Sequence, residues 1–261
     1  MVQMTSYPHG TFSWVELSTT DTEGAKAFYG SLLGWHTEDT PVPGGGTYTM
    51  CKKDDAFVGA IQTLQEEMRA QGHPPFWLSY VSVDDVDATV AKVEGLGGKV
   101  MAPPFDVLDA GRMAVIQDPT KAALALWQAK EHPGAGLVNE PGALCWNELS
   151  TNDVDTAREF YTSLFGWTAD KEDMGGFEYT VFSNGDRQAA GMAQITPAMG
   201  EMPPSWGVSF AVEDADASAA RVKELGGQLR MGPIDFPGGR FAVVRDPQGA
   251  FFSVVKLDAP T

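Results

Sequence analysis

Along Phe12 to Asp21, FSWVELSTTD, the side chains of Val15, Leu17 and Thr19 alternate with those of Trp14, Glu16 and Ser18. A period of two predicts a strand with two unlike faces. Asp21 stands where a helix would be capped, and Ala25, Phe28, Tyr29, Leu32 and Leu33 recur at helical spacing until Gly34 offers a stop. TYTMCKK from Thr47 and AFVGAIQTL from Ala56 read as further strands, with a turn at Lys53-Asp54-Asp55. The pattern then restarts. FWLSYVSV from Phe76 predicts a strand, Asp84 or Asp85 a cap, VDATVAKVEGLGG an amphipathic helix, and KVMAP, GRMAVIQD and ALALWQA three more strands. Each stretch is a β-α-β-β-β unit.

The whole arrangement is written twice. GTFSWVELSTTDTEGAKAFYGSLLGW from Gly10 and GALCWNELSTNDVDTAREFYTSLFGW from Gly142 share 14 of 26 positions, with Trp14 and Trp146 standing 132 apart. GLGGKV is echoed by ELGGQL, and GRMAVIQDPTKAA by GRFAVVRDPQGAF. Pro and Gly interrupt all periodicity between Lys130 and Gly142, so residues 1–131 and 142–261 are expected as two domains and 132–141 as a linker. Four units in an α+β fold follow, as two tandem domains. Each domain pairs two units into a curved mixed sheet with helices on its outer face, which leaves a cup on the inner one.

Composition narrows the function. With 35 acidic against 18 basic residues and a net charge of −17, the chain would repel a phosphate backbone, so no nucleic-acid partner is expected. No apolar run approaches the ~20 residues of a membrane span, and MVQMTSYPHG lacks the features of a secretory leader. A cytoplasmic protein is expected, either a monomer with its two domains paired or a weak homodimer. Cys51 and Cys145 have no paired spacing and read as reduced, buried thiols.

The element order, with FYGSLLGW and FYTSLFGW after the first strand of each half and DPTKAA and DPQGAF before the last, resembles the vicinal oxygen chelate superfamily. That group includes glyoxalase I, bleomycin-resistance proteins and extradiol dioxygenases; the tandem two-domain branch labelled glyoxalase-like or hydroxylase is the most similar. Enzymes of the superfamily draw metal ligands from a His in the first strand, a His opening the next unit and a Glu in the last strand. The matching positions here hold Trp14, Leu78 and Ala125 in one half and Trp146, Gly207 and Ser253 in the other. The resemblance therefore implies a fold whose usual metal site is erased. No metal or cofactor is expected, and His9, His36, His73 and His132, none repeated between halves, read as solvated loop residues.

Strand alternation turns Trp14, Glu16 and Ser18 away from the helix, and Trp146, Glu148 and Ser150 likewise, so each cup is expected to hold a carboxylate. Glu16 and Glu148 are the candidate catalytic residues. Arg112 and Arg240, each after a Gly, are candidate partners. Such a pair could be a structural ion pair, a polar anchor or a general base under an apolar lid. Gln62 and Gln194, in GAIQ and GMAQ, match at 132 residues and offer an amide to a ligand or to water. Tyr80 shares the facing of Glu16 and could stack on a ligand; its counterpart Ser209 makes the second cup roomier. With Trp14 and Trp146 these complete the candidate ligand-binding set. Phe28, Tyr29, Phe160 and Tyr161 read as core, and PVPGGGTY, Pro41 to Tyr48, as a flexible turn or lid. The leading expectation is a metal-independent protein that binds a small molecule, or an enzyme of lyase, isomerase or hydroxylase type. Alternatives are a metal-dependent glyoxalase or dioxygenase with unorthodox ligands, and an interaction or antigenic protein that needs no pocket.

Overall fold

The computed structural model describes residues 3–41, 47–173, 178–200 and 202–258. The first half runs β1 (Thr11–Thr19), α1 (Thr22–Leu33), β2 (His36–Pro41), β3 (Thr47–Lys53), β4 (Ala56–Thr63), α2 (Glu66–Ala70), β5 (Phe76–Ser82), α3 (Val86–Val93), β6 (Lys99–Val107), β7 (Gly111–Gln117) and β8 (Ala123–Ala129). The second runs β9 (Leu144–Thr151), α4 (Val154–Phe165), β10 (Thr168–Asp173), β11 (Glu178–Asn184), β12 (Arg187–Gln194), β13 (Ser205–Ala211), α5 (Ala215–Glu224), β14 (Gln228–Phe236), β15 (Gly239–Arg245) and β16 (Phe251–Leu257). The capping signals act as the sequence suggests: Asp21, Asp85, Asp153 and Asp214 each accept a backbone N–H in the first turn, and Gly34 and Gly166 end α1 and α4 in the left-handed region. The greater part of the glycine-rich turn after Pro41 lies outside the described residues.

Each half builds one eight-stranded sheet. The orders are β2-β3-β4-β1-β5-β8-β7-β6 and β10-β11-β12-β9-β13-β16-β15-β14, with β1 against β5 and β9 against β13 antiparallel at the centres. Strands β2 and β10 form one edge of each sheet. β2 is exposed at every residue, so no hydrophobic alternation marks it in the sequence.

Helices α1, α3, α4 and α5 lie between the sheets and serve both halves at once. Val15, Leu17, Phe28 and Tyr29 of the first half share one core with Val208, Phe210, Val222 and Phe252 of the second. Val81, Ile116 and Leu124 share the other with Phe160, Tyr161 and Phe182. The repeated landmarks are the bolts of this seam. Trp77 donates to the Tyr29 hydroxyl, which donates to Asp246 of the opposite half at 3.0 Å. Trp206 donates to Tyr161, which donates to Asp118 at 2.9 Å. Trp35 and Trp167 reach across to the Gly142 and Gly10 carbonyls at 2.7 and 2.9 Å. Buried hydroxyls and carboxyls are costly unless bonded, so each half satisfies polar groups the other cannot.

Candidate functional site

On the face turned away from the helices, β1 presents Trp14, Glu16 and Ser18, all buried. Glu16 Oε2 accepts from the Tyr48 hydroxyl at 2.7 Å, its Oε1 from the Gln62 amide, and Tyr80 donates as well. Trp14 in turn bonds Tyr48. Burial raises the Glu16 carboxyl above the ordinary 4.5, and the tyrosine hydrogen bonds oppose that rise. The same design stands in the second half. Trp146 donates to the Tyr179 hydroxyl at 3.0 Å, and Tyr179 donates to Glu148 Oε2 at 2.7 Å. Burial again raises the carboxyl.

The surroundings of the two carboxyls differ. Around Glu16 the cup is full. Trp14, Ala60, Tyr80, Ala125, Trp127 and Ala135 form a third buried cluster, and the segment after β8 folds back into it. Ala135 N–H donates to Ser13 O, Gly136 N–H to Phe57 O, and the Tyr7 hydroxyl to Ala135 O at 2.6 Å. His132 stands edge-on to Trp14 with ring centroids 4.6 Å apart, and its carbonyl accepts from Trp127. It is a half-buried residue whose Nε2 is wholly enclosed without a partner among the described residues, and desolvation lowers its pKa. The expectation of a solvated loop histidine is thus corrected: the linker is a plug, and His132 is its tip.

Around Glu148 the cup is open. Trp146, Glu148 and Ser150 are half-buried, and the strand neighbours of Glu148 are Gly191 and Gly207 where Glu16 has Ala60 and Leu78. Gly207 is exposed, and a Cβ there would meet only the Glu148 carbonyl, at 3.6 Å. Gly191 is needed for a different reason, since a Cβ would collide with the Tyr179 hydroxyl. Ser209, buried beside Trp146, takes the place of Tyr80. Two clefts outside the cups, of about 410 Å³ beside Val154 and Met192 and about 420 Å³ between Leu33 and Arg221, contain neither carboxyl.

The expected arginine–glutamate pairs are not made, and Gln194, a candidate ligand-binding residue, does not enter the cup. Arg112 does not reach Glu16: it forms a two-pronged bond to Asp87 at 2.7 and 3.0 Å, and Arg240 does the same with Asp216. Strand parity explains this, because Arg112 alternates in phase with Ala114 and Ile116, which belong to the helix-side core. Gln194 does not reach Glu148 and donates to the Asn152 carbonyl at 3.0 Å. The loop before β11 is one residue shorter, so Tyr179 answers Tyr48 and Ala193 answers Gln62. A slip of one residue puts Gln194 on the opposite face. The repeated Tyr-Thr at Tyr48-Thr49 and Tyr179-Thr180 was the available signal for this offset and for the two tyrosines.

The positions that correspond to the superfamily's metal ligands carry no strong donor. Trp14, Leu78 and Ala125, or Trp146, Gly207 and Ser253, offer one weak hydroxyl between them, and no three His, Cys, Asp or Glu converge among the described residues. Cys51 is buried and Cys145 half-buried; both are free, and burial pushes both thiols up to about 12, which disfavours a nucleophilic role. No helix of the described residues is long and apolar enough to cross a membrane.

Comparison with known proteins gives one consistent answer. Residues 11–126 and 144–254 each match the model of the glyoxalase/bleomycin resistance protein/dioxygenase superfamily. CFP32 of Mycobacterium tuberculosis, whose name assigns it to the glyoxylases, is 49% identical over 259 residues, covering 98% of each chain. The anthracycline biosynthesis protein DnrV of Streptomyces peucetius is 37% identical over 264 residues, covering 97% of this chain and 96% of the relative. In fold, the chain is similar to the Mn(II)-bound glyoxalase of Novosphingobium aromaticivorans, with a TM-score of 0.64 at 18% identity over 96% of this chain and 83% of that one.

Proposed function

Since the chain belongs to the glyoxalase/bleomycin resistance protein/dioxygenase superfamily, we propose that its C-terminal cup binds a small molecule without a metal and that Glu148 is the anchor. One observation carries this reading. Glu16 has three donors and a sealed surrounding, whereas among the described residues Glu148 is bonded by Tyr179 alone and lies between two glycines on an open face. The Trp146 indole orients the Tyr179 hydroxyl, which directs its proton at Glu148 and leaves the other carboxylate oxygen for a guest. A carboxyl raised by burial holds its proton to a higher pH than an exposed one and so is a better proton donor and acceptor for a bound guest. That favours chemistry of lyase or isomerase type, or simple capture, over ring oxidation. The half-buried Trp146 provides a flat apolar wall, and the name of DnrV is in keeping with an aromatic guest.

Gly207→Leu tests this, because it writes the Leu78 of the sealed cup into the open one. Native mass spectrometry of protein taken from its producing cells should show a bound small molecule that is lost in Gly207→Leu and weakened in Glu148→Gln. Chelation should leave it in place. Stoichiometric metal whose removal abolishes binding would establish the metal-dependent alternative instead. Unchanged behaviour of both variants in every ligand and activity readout would favour a protein-interaction role.

A further inference from the structure

We infer that the guest of the C-terminal cup is an elongated, flat molecule with a hydrogen-bond donor at one end and an oxyanion at the other, the oxyanion held by Arg230 and Arg245. This deepens the reading of the cup given above and rests on it. Arg69, Arg112, Arg158, Arg221 and Arg240 each form an ion pair with a carboxylate. Of the eight arginines in this chain, Arg187, Arg230 and Arg245 have no ion pair among the described residues, and of these three only Arg230 and Arg245 share a ring. They lie 5.9 and 5.5 Å from the centroid of Phe251, which is 51% exposed. Arg245 spends its Nε–H on the Gly249 carbonyl, which fixes the guanidinium and leaves its terminal nitrogens unspent.

Parity and register place this group on the floor of the cup. Phe252 and Val254 belong to the helix-side core, so Phe251 and Ser253 face the other way, and Arg245 is the cross-strand partner of Phe251. The pairs Glu148 with Gly207 and Ser209 with Ser253 put Phe251 level with Glu148, two strands over. Two interstrand steps are about 10 Å. Between the acceptor and the cations lie the bare backbone of Gly207 and the exposed Phe251 ring, over which the side chains of Arg245 and Arg230 reach back from the next two strands. The first half has nothing comparable: the pair that answers Arg245 and Phe251 is Gln117 and Ala123, and the Gln117 amide is spent on the Lys121 carbonyl. The anionic end is thus a property of the open cup alone.

The probe is 6-hydroxy-2-naphthoate, a rigid donor–ring–carboxylate of this length, compared with its methyl ester by fluorescence titration against the full-length protein. The wild type should bind the acid more tightly than the ester, with a salt dependence that the ester lacks. Arg230→Gln with Arg245→Gln should weaken the acid about tenfold, as expected for losing charge-assisted bonds, and leave the ester within about twofold. Arg230→Gln alone, at an exposed position, should give part of that loss, which guards against a folding effect of the Arg245 change. If both probes bind, both are weakened by Glu148→Gln, and neither responds to the arginine changes, the oxyanion assignment is overturned while the cup reading stands. If neither probe binds at millimolar concentration, both fall.

Discussion

The two cups are built from one repeated text, yet one is a core and the other a surface. Both hold the relay of Trp, Tyr and Glu. In the first, Gln62 and Tyr80 complete the carboxyl's hydrogen bonds and the linker packs His132 against Trp14. In the second, Ala193 and Ser209 stand in those places, and glycine replaces both Ala60 and Leu78 beside the carboxyl. The difference shows how little must change to turn an open face into a filled core. Adding donors and side-chain volume around one conserved acid is enough, and subtracting them from its twin leaves a carboxylate with spare capacity over an accessible floor.

The largest test of that contrast is to delete each acid. Glu16→Ala removes the acceptor shared by the half-buried Tyr48 and Gln62 and the buried Tyr80, which should cost about 3 kcal/mol. Glu148→Ala strands one tyrosine on an open face and should cost about 1 kcal/mol or less. Urea unfolding of the two variants decides it, and equal losses would mean that both acids are structural. Acidity sharpens the same point. The folded carboxyl of Glu16 titrates above the ordinary 4.5, so the unfolded chain releases its proton first as pH rises. The stability that the protonated carboxyl contributes is complete below about 4.5 and lost as pH climbs through the folded value, by up to about 1.4 kcal/mol per pH unit for one group. Asp118 and Asp246 are raised too and act in the same direction. The difference between wild type and Glu16→Gln isolates Glu16 and should shrink toward low pH.

The plug comes next in size. His132→Ala removes the ring between Trp14, Phe57 and Trp127 and should cost about 2 kcal/mol through the cavity it leaves. That cavity has the shape of an imidazole. Free imidazole at millimolar concentration should raise the unfolding midpoint of His132→Ala more than that of the wild type, by mass action on the folded state. No preferential rescue would mean that the linker collapses into the gap and the seal does not depend on the ring.

Much of this was legible in the sequence, and the failures have local causes. The inward facing of Trp14, Glu16 and Ser18 follows from alternation with Val15 and Leu17, whose burial the structure confirms. The same counting along GRMAVIQ would have sent Arg112 outward with Ala114 and Ile116; pairing it with Glu16 put the attraction of opposite charges ahead of the period-two rule. Tyr29 and Tyr161 read correctly as buried, but their bonds to Asp246 and Asp118 cross between halves and no local pattern encodes them. The plug was hidden for the same reason. A Pro- and Gly-rich joint looks like a linker from sequence, and only the full third dimension shows it lying in a cup with Ala135 and Gly136 bonded to Ser13 and Phe57.

The smallest expected effect tests the register most directly. Aligned at the common offset of 132, Gln62 and Gln194 are equivalents, and replacing either should then matter equally. In the structure Gln62 meets Glu16 and Ser18 within the sealed cup, so Gln62→Ala should cost about 1 kcal/mol and further raise the carboxyl it leaves behind. Gln194 is exposed, bonds a backbone carbonyl and lies on the helix side, so Gln194→Ala should stay within about 0.5 kcal/mol. Ala193→Gln would then restore the missing donor beside Glu148. If the one-residue offset holds, it should tighten the second cup toward the first, raising stability slightly while weakening guest binding, because the carboxylate oxygen offered to the guest would be occupied from within the chain.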